Sequence, residues 1–196
     1  METFEIKNNN DRILYSGEYD SMKKCVEDAV RKKIDLTGAK LINCDLSNSD
    51  FTGSNFIGAD FTGSDLRDSK FIRSILIGAD FRKTDSEFTI FIGSDLTKSD
   101  FRENILDYAD FAGSDLRESK FIRTKLIGTD FRESTLEDAD FTEAYFISCN
   151  LIGSDFRNAN FTRATVKYSN LSGTDLRGVN LTDTHFKSNE GSVVTE

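Results

Sequence analysis

The chain has no proline at all, so nothing in it interrupts a continuous ladder of backbone N–H donors. It has one histidine, His185, with no serine or cysteine nucleophile arranged beside it, which argues against a catalytic triad. Three cysteines, Cys25, Cys44 and Cys149, make an odd number without metal-like spacing. Cys44 and Cys149 are expected to point inward as reduced thiols, and a cytoplasmic location follows. No apolar run approaches the ~20 residues of a membrane span. The opening residues, Met1 to Lys7, lack the basic stretch and apolar stretch of a secretory signal. No Gly-Lys-Ser/Thr occurs, so there is no phosphate loop. These absences predict no cofactor, no metal, no membrane and no enzyme.

Positive charge is also short, with 25 Lys and Arg against 34 Asp and Glu, a net −9. Residues 1–34 hold seven of each sign, so the whole excess lies in residues 35–196. An acidic segment of that length argues against direct nucleic-acid binding, which requires Lys and Arg to replace phosphate counterions.

What the sequence does have is a period of five. Thirty-one positions from Leu36 to Phe186, taken every fifth residue, comprise 15 Phe, 14 Leu, Val166 and the one polar exception, Ser86. Neither the helical period of 3.6 nor the strand period of 2.0 produces this. It marks one short unit stacked many times. Take each such residue as the centre of its pentad. Two positions before it the residue is small (Ala39, Cys44, Ser49, Ser54 and onward), which suits an inward corner. Immediately before it stands Asp 15 times and Asn five times, residues that bond nearby backbone N–H groups. Two positions after it fall 11 of the 13 glycines, where a type II turn requires positive φ. Each pentad therefore predicts one short extended side and one tight corner.

Units such as Ala59-Asp60-Phe61-Thr62-Gly63 and Ser64-Asp65-Leu66-Arg67-Asp68 resemble the A(D/N)LXX motif of the pentapeptide-repeat family. The resemblance implies an all-β right-handed quadrilateral β-helix with four pentads per coil. The columns support four sides. Every twentieth residue gives Leu41, Phe61, Phe81, Phe101, Phe121, Phe141, Phe161, Leu181, and opposite it Phe51, Phe71, Phe91, Phe111, Phe131, Leu151, Leu171. The columns between are mostly Leu, so facing Phe ladders alternate with Leu ladders around a filled square. About eight coils at a spacing of ~4.8 Å give a rod of roughly 37 Å.

The organisation expected is a cap over residues 1–34, the β-helix over 35–186 and a tail over 187–196. In the cap, Phe4–Lys7 and Arg12–Tyr15 read as a hairpin, and Ser21 as the N-cap of a helix of about 13 residues. Hairpin and helix together would close the first coil, whose open edge would otherwise invite aggregation. At the other end, either the tail folds over the last coil or two rods pair there as a homodimer, the reading favoured here. Ser86, with Asn104 in the next coil on the same side, is the candidate irregularity. A bend, a bulge or an internal water would explain it, or else Phe88 or Ile90 moves in to fill the space. The candidate partner surface combines the acidic column Asp60, Asp80, Asp100 and Asp140 with the outward Ile72 and Ile92. Arg67, Arg82, Arg102, Arg117, Arg132, Arg157 and Arg177 are interleaved with the acids and suit exposed pairing rather than a shared cation.

Two functions compete. One is a non-enzymatic interaction or scaffold protein whose rigid acidic rod meets a protein partner of unknown identity. The other comes from the resemblance, since some pentapeptide-repeat proteins mimic duplex DNA, bind DNA gyrase and protect it from quinolones. Duplex DNA carries one charge per ~1.7 Å, about 22 over this length. The net −9 is well under half of that.

Overall fold

The structure, a computed structural model, describes residues 1–195. Strands β1 (Glu2–Lys7) and β2 (Ile13–Tyr19) form an antiparallel hairpin with a bulge between Ile6 and Lys7. Both strands run further than the apolar alternation alone indicates. Helix α1 (Met22–Arg31) starts at Ser21, whose hydroxyl accepts the Lys24 N–H at 3.3 Å. It has ten residues, not about 13. The reason is a left-handed closure, in which Lys33 takes φ 57° and Ile34 N–H donates to the Ala29 carbonyl at 3.0 Å. That closure turns the chain into the first coil.

The hairpin and helix lie on that coil. Lys40 N–H donates to the Lys7 carbonyl at 2.7 Å, and Asn8 bridges Ala39. Ile6, Cys25, Val26 and Ala29 are fully buried and continuous with Leu36 and Leu41. Lys23 Nζ also donates to the Ser47 carbonyl. The exposed ladder edge of the rod is thereby covered at its N-terminal end.

From Lys40 to Asn170 each residue before a centre pairs in parallel with the residue 20 positions on, so the coil has four sides. We number these sides in chain order: the first carries Leu36, the second Leu41, the third Leu46 and the fourth Phe51, each repeated every 20 residues. On the third side the pairing lengthens into strands β3 (Lys125–Ile127), β4 (Tyr145–Ile147), β5 (Thr165–Lys167) and β6 (His185–Lys187).

The pentad Asp60–Ser64 shows why this sequence adopts this coil, because each of its N–H groups has a partner. Asp60 N–H donates back to Ala39 at 2.8 Å, and Phe61 N–H donates forward to Asp80 at 2.8 Å. Thr62 N–H is taken by its own Asp60 carboxylate at 2.9 Å. Gly63 N–H donates forward to Arg82 at 3.0 Å, and Ser64 N–H closes the corner on Phe61 at 2.9 Å. The Asp column is therefore structural, since it satisfies the one N–H that the ladders leave over. All 31 corners have positive φ at the position after next from the centre, 11 at glycine and 20 at other residues.

Inside, the two Phe ladders stack along the axis. Phe81 and Phe101 are 4.8 Å apart with planes 3° apart, and Phe91 and Phe111 are 4.8 Å apart at 6°. Across the square the rings meet edge to face, as Phe91 and Phe101 do at 5.8 Å and 84°. The order loosens where Phe intrudes on a Leu side. Near Phe56 the Phe51–Phe71 pair tilts to 48°, and near Phe146 and Phe156 the Phe141–Phe161 pair tilts to 34°.

The residues after Phe186 continue to wind. Asn170 pairs with Glu190, and Asp175 pairs with Val194, one residue short of the regular step. Leu181, Phe186 and Val194 are each 44 % exposed at this end. Leu181 and Phe186, with Leu171, Leu176 and Val193, line an open pocket of about 420 Å³.

Candidate functional site

Apart from the pocket at the C-terminal end and a hollow of about 830 Å³ between helix α1 and the first coil, the rod offers outer faces, and its four sides differ. Asp60, Asp80, Asp100 and Asp140 stack on the second side, whereas Ile72 and Ile92 stack on the fourth, directly opposite. The two halves of the surface expected from the sequence therefore cannot meet one flat partner together. A place within the pentad, just before the centre for Asp and just after it for Ile, does not reveal which side of a square each residue occupies. Counting modulo 20 would have revealed it.

The acidic column is also less charged than it reads. In seven pentads the residue after the centre is Arg, and its guanidinium folds back on the Asp two positions earlier. Arg82 meets Asp80 at 2.6 Å and Arg102 meets Asp100 at 2.6 Å, so two of the four acids on the second side are neutralised in place. Arg67, Arg117, Arg157 and Arg177 hold the carboxyls of Asp65, Asp115, Asp155 and Asp175 below the ordinary value of 3.8. These pairs are exposed, so solvent and salt screen them.

The third side carries what the sequence pattern concealed. Phe88 and Tyr108, one coil apart, stack with centroids 5.1 Å apart and planes 7° apart. They are nevertheless 50 % and 56 % exposed. Both sit at left-handed corners, φ 57° and 59°, a position that bulky side chains adopt at a cost and that glycine fills at 11 other corners. Phe88 therefore does not move in to fill the space beside Ser86, and Ile90 lies on the fourth side. Below the stack the next corner is Gly128, where a Cβ would approach the Tyr108 ring to 2.7 Å. Ile105 and Tyr145 add exposed apolar surface on the same side, and Asp68, Asp85 and Glu87 flank it.

Asp107 belongs to this side and is only 6 % exposed. Lys125 occupies the place where an Asp would take the Ile127 N–H. Asp107, from the preceding coil, accepts that N–H at 3.2 Å and the Lys125 ammonium at 2.5 Å. The substitution of Lys for Asp is thus repaired by one acid placed 18 residues earlier, a pairing that the period of five does not display.

No bend or bulge marks Ser86. Its N–H donates to Ile105 at 2.9 Å in the regular ladder, and Asp85 pairs with both Asp65 and Ile105. Ser86 Oγ instead meets Thr84 Oγ1 at 3.0 Å, and Asn104 Nδ2 reaches Thr84 Oγ1 and the Phe81 carbonyl.

In the cap, Asp28 collects Lys32, Tyr15, Tyr19 and Arg31, which hold its carboxyl far below the usual carboxylate range. Burial pushes the Cys25 thiol up to about 11 and Cys149 up to about 12, and it raises Cys44 as well. No disulfide joins them. Among the described residues, no three of His, Cys, Asp and Glu converge on a metal position, and no helix is long and apolar enough to cross a membrane.

A model of pentapeptide repeats matches eight copies, over residues 33–68 and, in overlapping stretches, over 91–188. The chain belongs to the pentapeptide-repeat family. The coil is accordingly the family's right-handed quadrilateral β-helix. Solved pentapeptide-repeat structures resemble it. A protein of the Arabidopsis thaliana thylakoid lumen shares 32% identity over 55% of this chain and 68% of its own, with a TM-score of 0.45. QnrB1, a plasmid-mediated fluoroquinolone resistance protein, shares 25% over 77% and 84%, with a TM-score of 0.35. HetL of Nostoc sp. strain PCC 7120, involved in heterocyst differentiation regulation, shares 19% over 88% and 95%, with a TM-score of 0.29. A comparison with curated proteins gave no significant match.

Proposed function

We infer that this pentapeptide-repeat protein is a non-enzymatic scaffold whose third side binds a protein partner through Phe88 and Tyr108. The observation that carries this reading is the pair of exposed, stacked rings held at left-handed corners. Glycine would serve the fold better at both positions, so the rings answer to something outside the fold. The surrounding Asp68, Asp85 and Glu87 suit a partner with an apolar centre and a basic rim. The three unpaired thiols support action in the cytoplasm.

The test is a Phe88→Gly/Tyr108→Gly variant compared with the wild type in affinity purification from the native host, with mass spectrometry of what is retained. A partner held by the wild type and lost by a variant of unchanged melting temperature supports the reading. Equal retention by both refutes it.

A second reading, mimicry of DNA towards gyrase, draws on the family resemblance and on the acidic columns. The seven Asp–Arg pairs weaken it, because they remove charge where a mimic needs it. Inhibition or protection of gyrase supercoiling at micromolar protein would favour it. We further propose a homodimer through the C-terminal end, where Leu181, Phe186 and Val194 stand exposed and the first two line an apolar pocket. Sedimentation showing only monomer at tens of micromolar would remove that proposal.

A further inference from the structure

We propose that Ser86, Thr84 and Asn104 hold one internal water molecule in the body of the rod. The argument is a count of protons. Thr84 Oγ1 donates its single proton to the Phe81 carbonyl at 2.8 Å. The proton in the 3.0 Å contact between Thr84 Oγ1 and Ser86 Oγ must then come from Ser86. Asn104 Nδ2 gives one proton to the Phe81 carbonyl at 2.9 Å and the other to Thr84 Oγ1 at 2.5 Å. Reversing the amide would set Oδ1 against the Phe81 oxygen, so its orientation is fixed.

Every proton in the cluster is now committed, and two acceptors remain. They are Asn104 Oδ1 and the lone pairs of Ser86 Oγ. Among the described residues nothing donates to Asn104 Oδ1, although Asn104 is 1 % exposed and Ser86 is 0 % exposed. The other buried oxygens without a partner, those of Ser49, Thr62, Ser69 and Ser99, are hydroxyls that carry a proton of their own, whereas Asn104 Oδ1 can only accept. The site therefore calls for a small neutral guest that brings two donors, and its lining carries no charge to hold an ion. Water is that guest, and buried waters typically sit on 2–4 such polar partners. Room comes from the column itself. Ser86 stands between Leu66 and Leu106, whose side chains are each larger by two heavy atoms, and neither Phe88 nor Ile90 turns inward to replace them.

The experiment counts long-lived internal waters by oxygen-17 magnetic relaxation dispersion, comparing the full chain with a Ser86→Leu/Asn104→Ser variant. That pair makes residues 86 and 104 the same as Leu46 and Ser64, two coils earlier, so the variant is expected to fold. One long-lived water fewer in the variant is the expected result, and an equal count overturns the proposal. Thermal melting gives an independent reading. Ser86→Leu alone displaces the water and seals off Asn104 Oδ1, so its melting temperature falls by about 3 °C or more, and adding Asn104→Ser restores it. A rise with Ser86→Leu alone would mean a dry cavity and would overturn the proposal.

Discussion

Phe101 sits at the middle of the second-side ladder, and its replacement tests the packing argument most directly. Its ring is fully buried. It stacks on Phe81 and Phe121 at 4.8 Å and meets Phe91 and Phe111 edge to face at 5.8 and 5.6 Å. Truncation to alanine leaves a cavity that ladders above and below cannot close, because their backbones are fixed by parallel pairing. The expected loss is about 3–5 kcal/mol. Leucine fills most of the volume but forfeits the ring contacts, worth ~0.5–1.5 kcal/mol per pair and not additive, so about 1–2 kcal/mol is expected. Each coil contacts only its neighbours, so the damage should not spread evenly. The coils before residue 101 carry the hairpin and helix lid, and those after it do not. Hydrogen exchange read by mass spectrometry should therefore show greater loss of protection over 106–195 than over 36–96. An alanine cost under about 1 kcal/mol, or a leucine cost equal to that of alanine, would refute the picture of interlocked ladders.

Asp107→Ala should destabilise the third side by about 1–3 kcal/mol, since it strands the Ile127 N–H and unpairs Lys125; a chemical denaturation curve unchanged in midpoint would contradict this. Native Cys25 and Cys149, with thiols raised to about 11 and about 12, should resist iodoacetamide at pH 8 until their coils open, and rapid labelling of folded protein would show that burial to be wrong. For pH, the carboxyls of Asp65, Asp115, Asp155 and Asp175 lie lower in the folded chain than their ordinary 3.8. Their contribution is therefore present above that value and is lost as pH falls through the folded values, so melting temperature should hold from neutral to about pH 5 and decline below pH 4. High salt should flatten that decline, because the pairs are exposed.

The architecture was legible because a period of five with no slip resembles the pentapeptide-repeat motif, which implies four sides, and the Phe and Leu columns at 20-residue steps agree with that number. Local chemistry set the details less completely. Lys33 carries no sign that it will adopt a left-handed conformation and cut the helix to ten residues. The tail lacks the apolar pentads and yet winds on, since its backbone can pair with Asn170 and Asp175 whatever its side chains are. Phe88 looked like a filler because it neighbours the polar Ser86, but its corner position points it outward. Tyr108 and Asp107 were missed because their roles depend on a neighbour one coil away. The one cheap signal was the aromatics Phe88, Tyr108 and Tyr168 in a column otherwise filled by Gly, Asn, Asp, Ser, Glu, Lys and Arg.

The same column logic separates the two functional readings. An Asp before a centre is needed for its Oδ1, which takes the leftover N–H, and Asn supplies the same atom, as Asn160 does for Thr162 at 3.1 Å. Fold alone therefore accounts for the acceptor but not for the charge. Asp60, Asp95, Asp110 and Asp140 take the N–H of Thr62, Thr97, Ala112 and Thr142 and have no Arg partner in their own pentads. Converting all four to Asn keeps each of those bonds and removes four negative charges from the net −9. The melting temperature should stay within about 2 °C. A scaffold that grips through Phe88 and Tyr108 should retain its partner, with only a weaker salt dependence. A DNA mimic would lose its hold on gyrase with its fold intact, and that outcome would overturn the scaffold reading rather than merely dilute it.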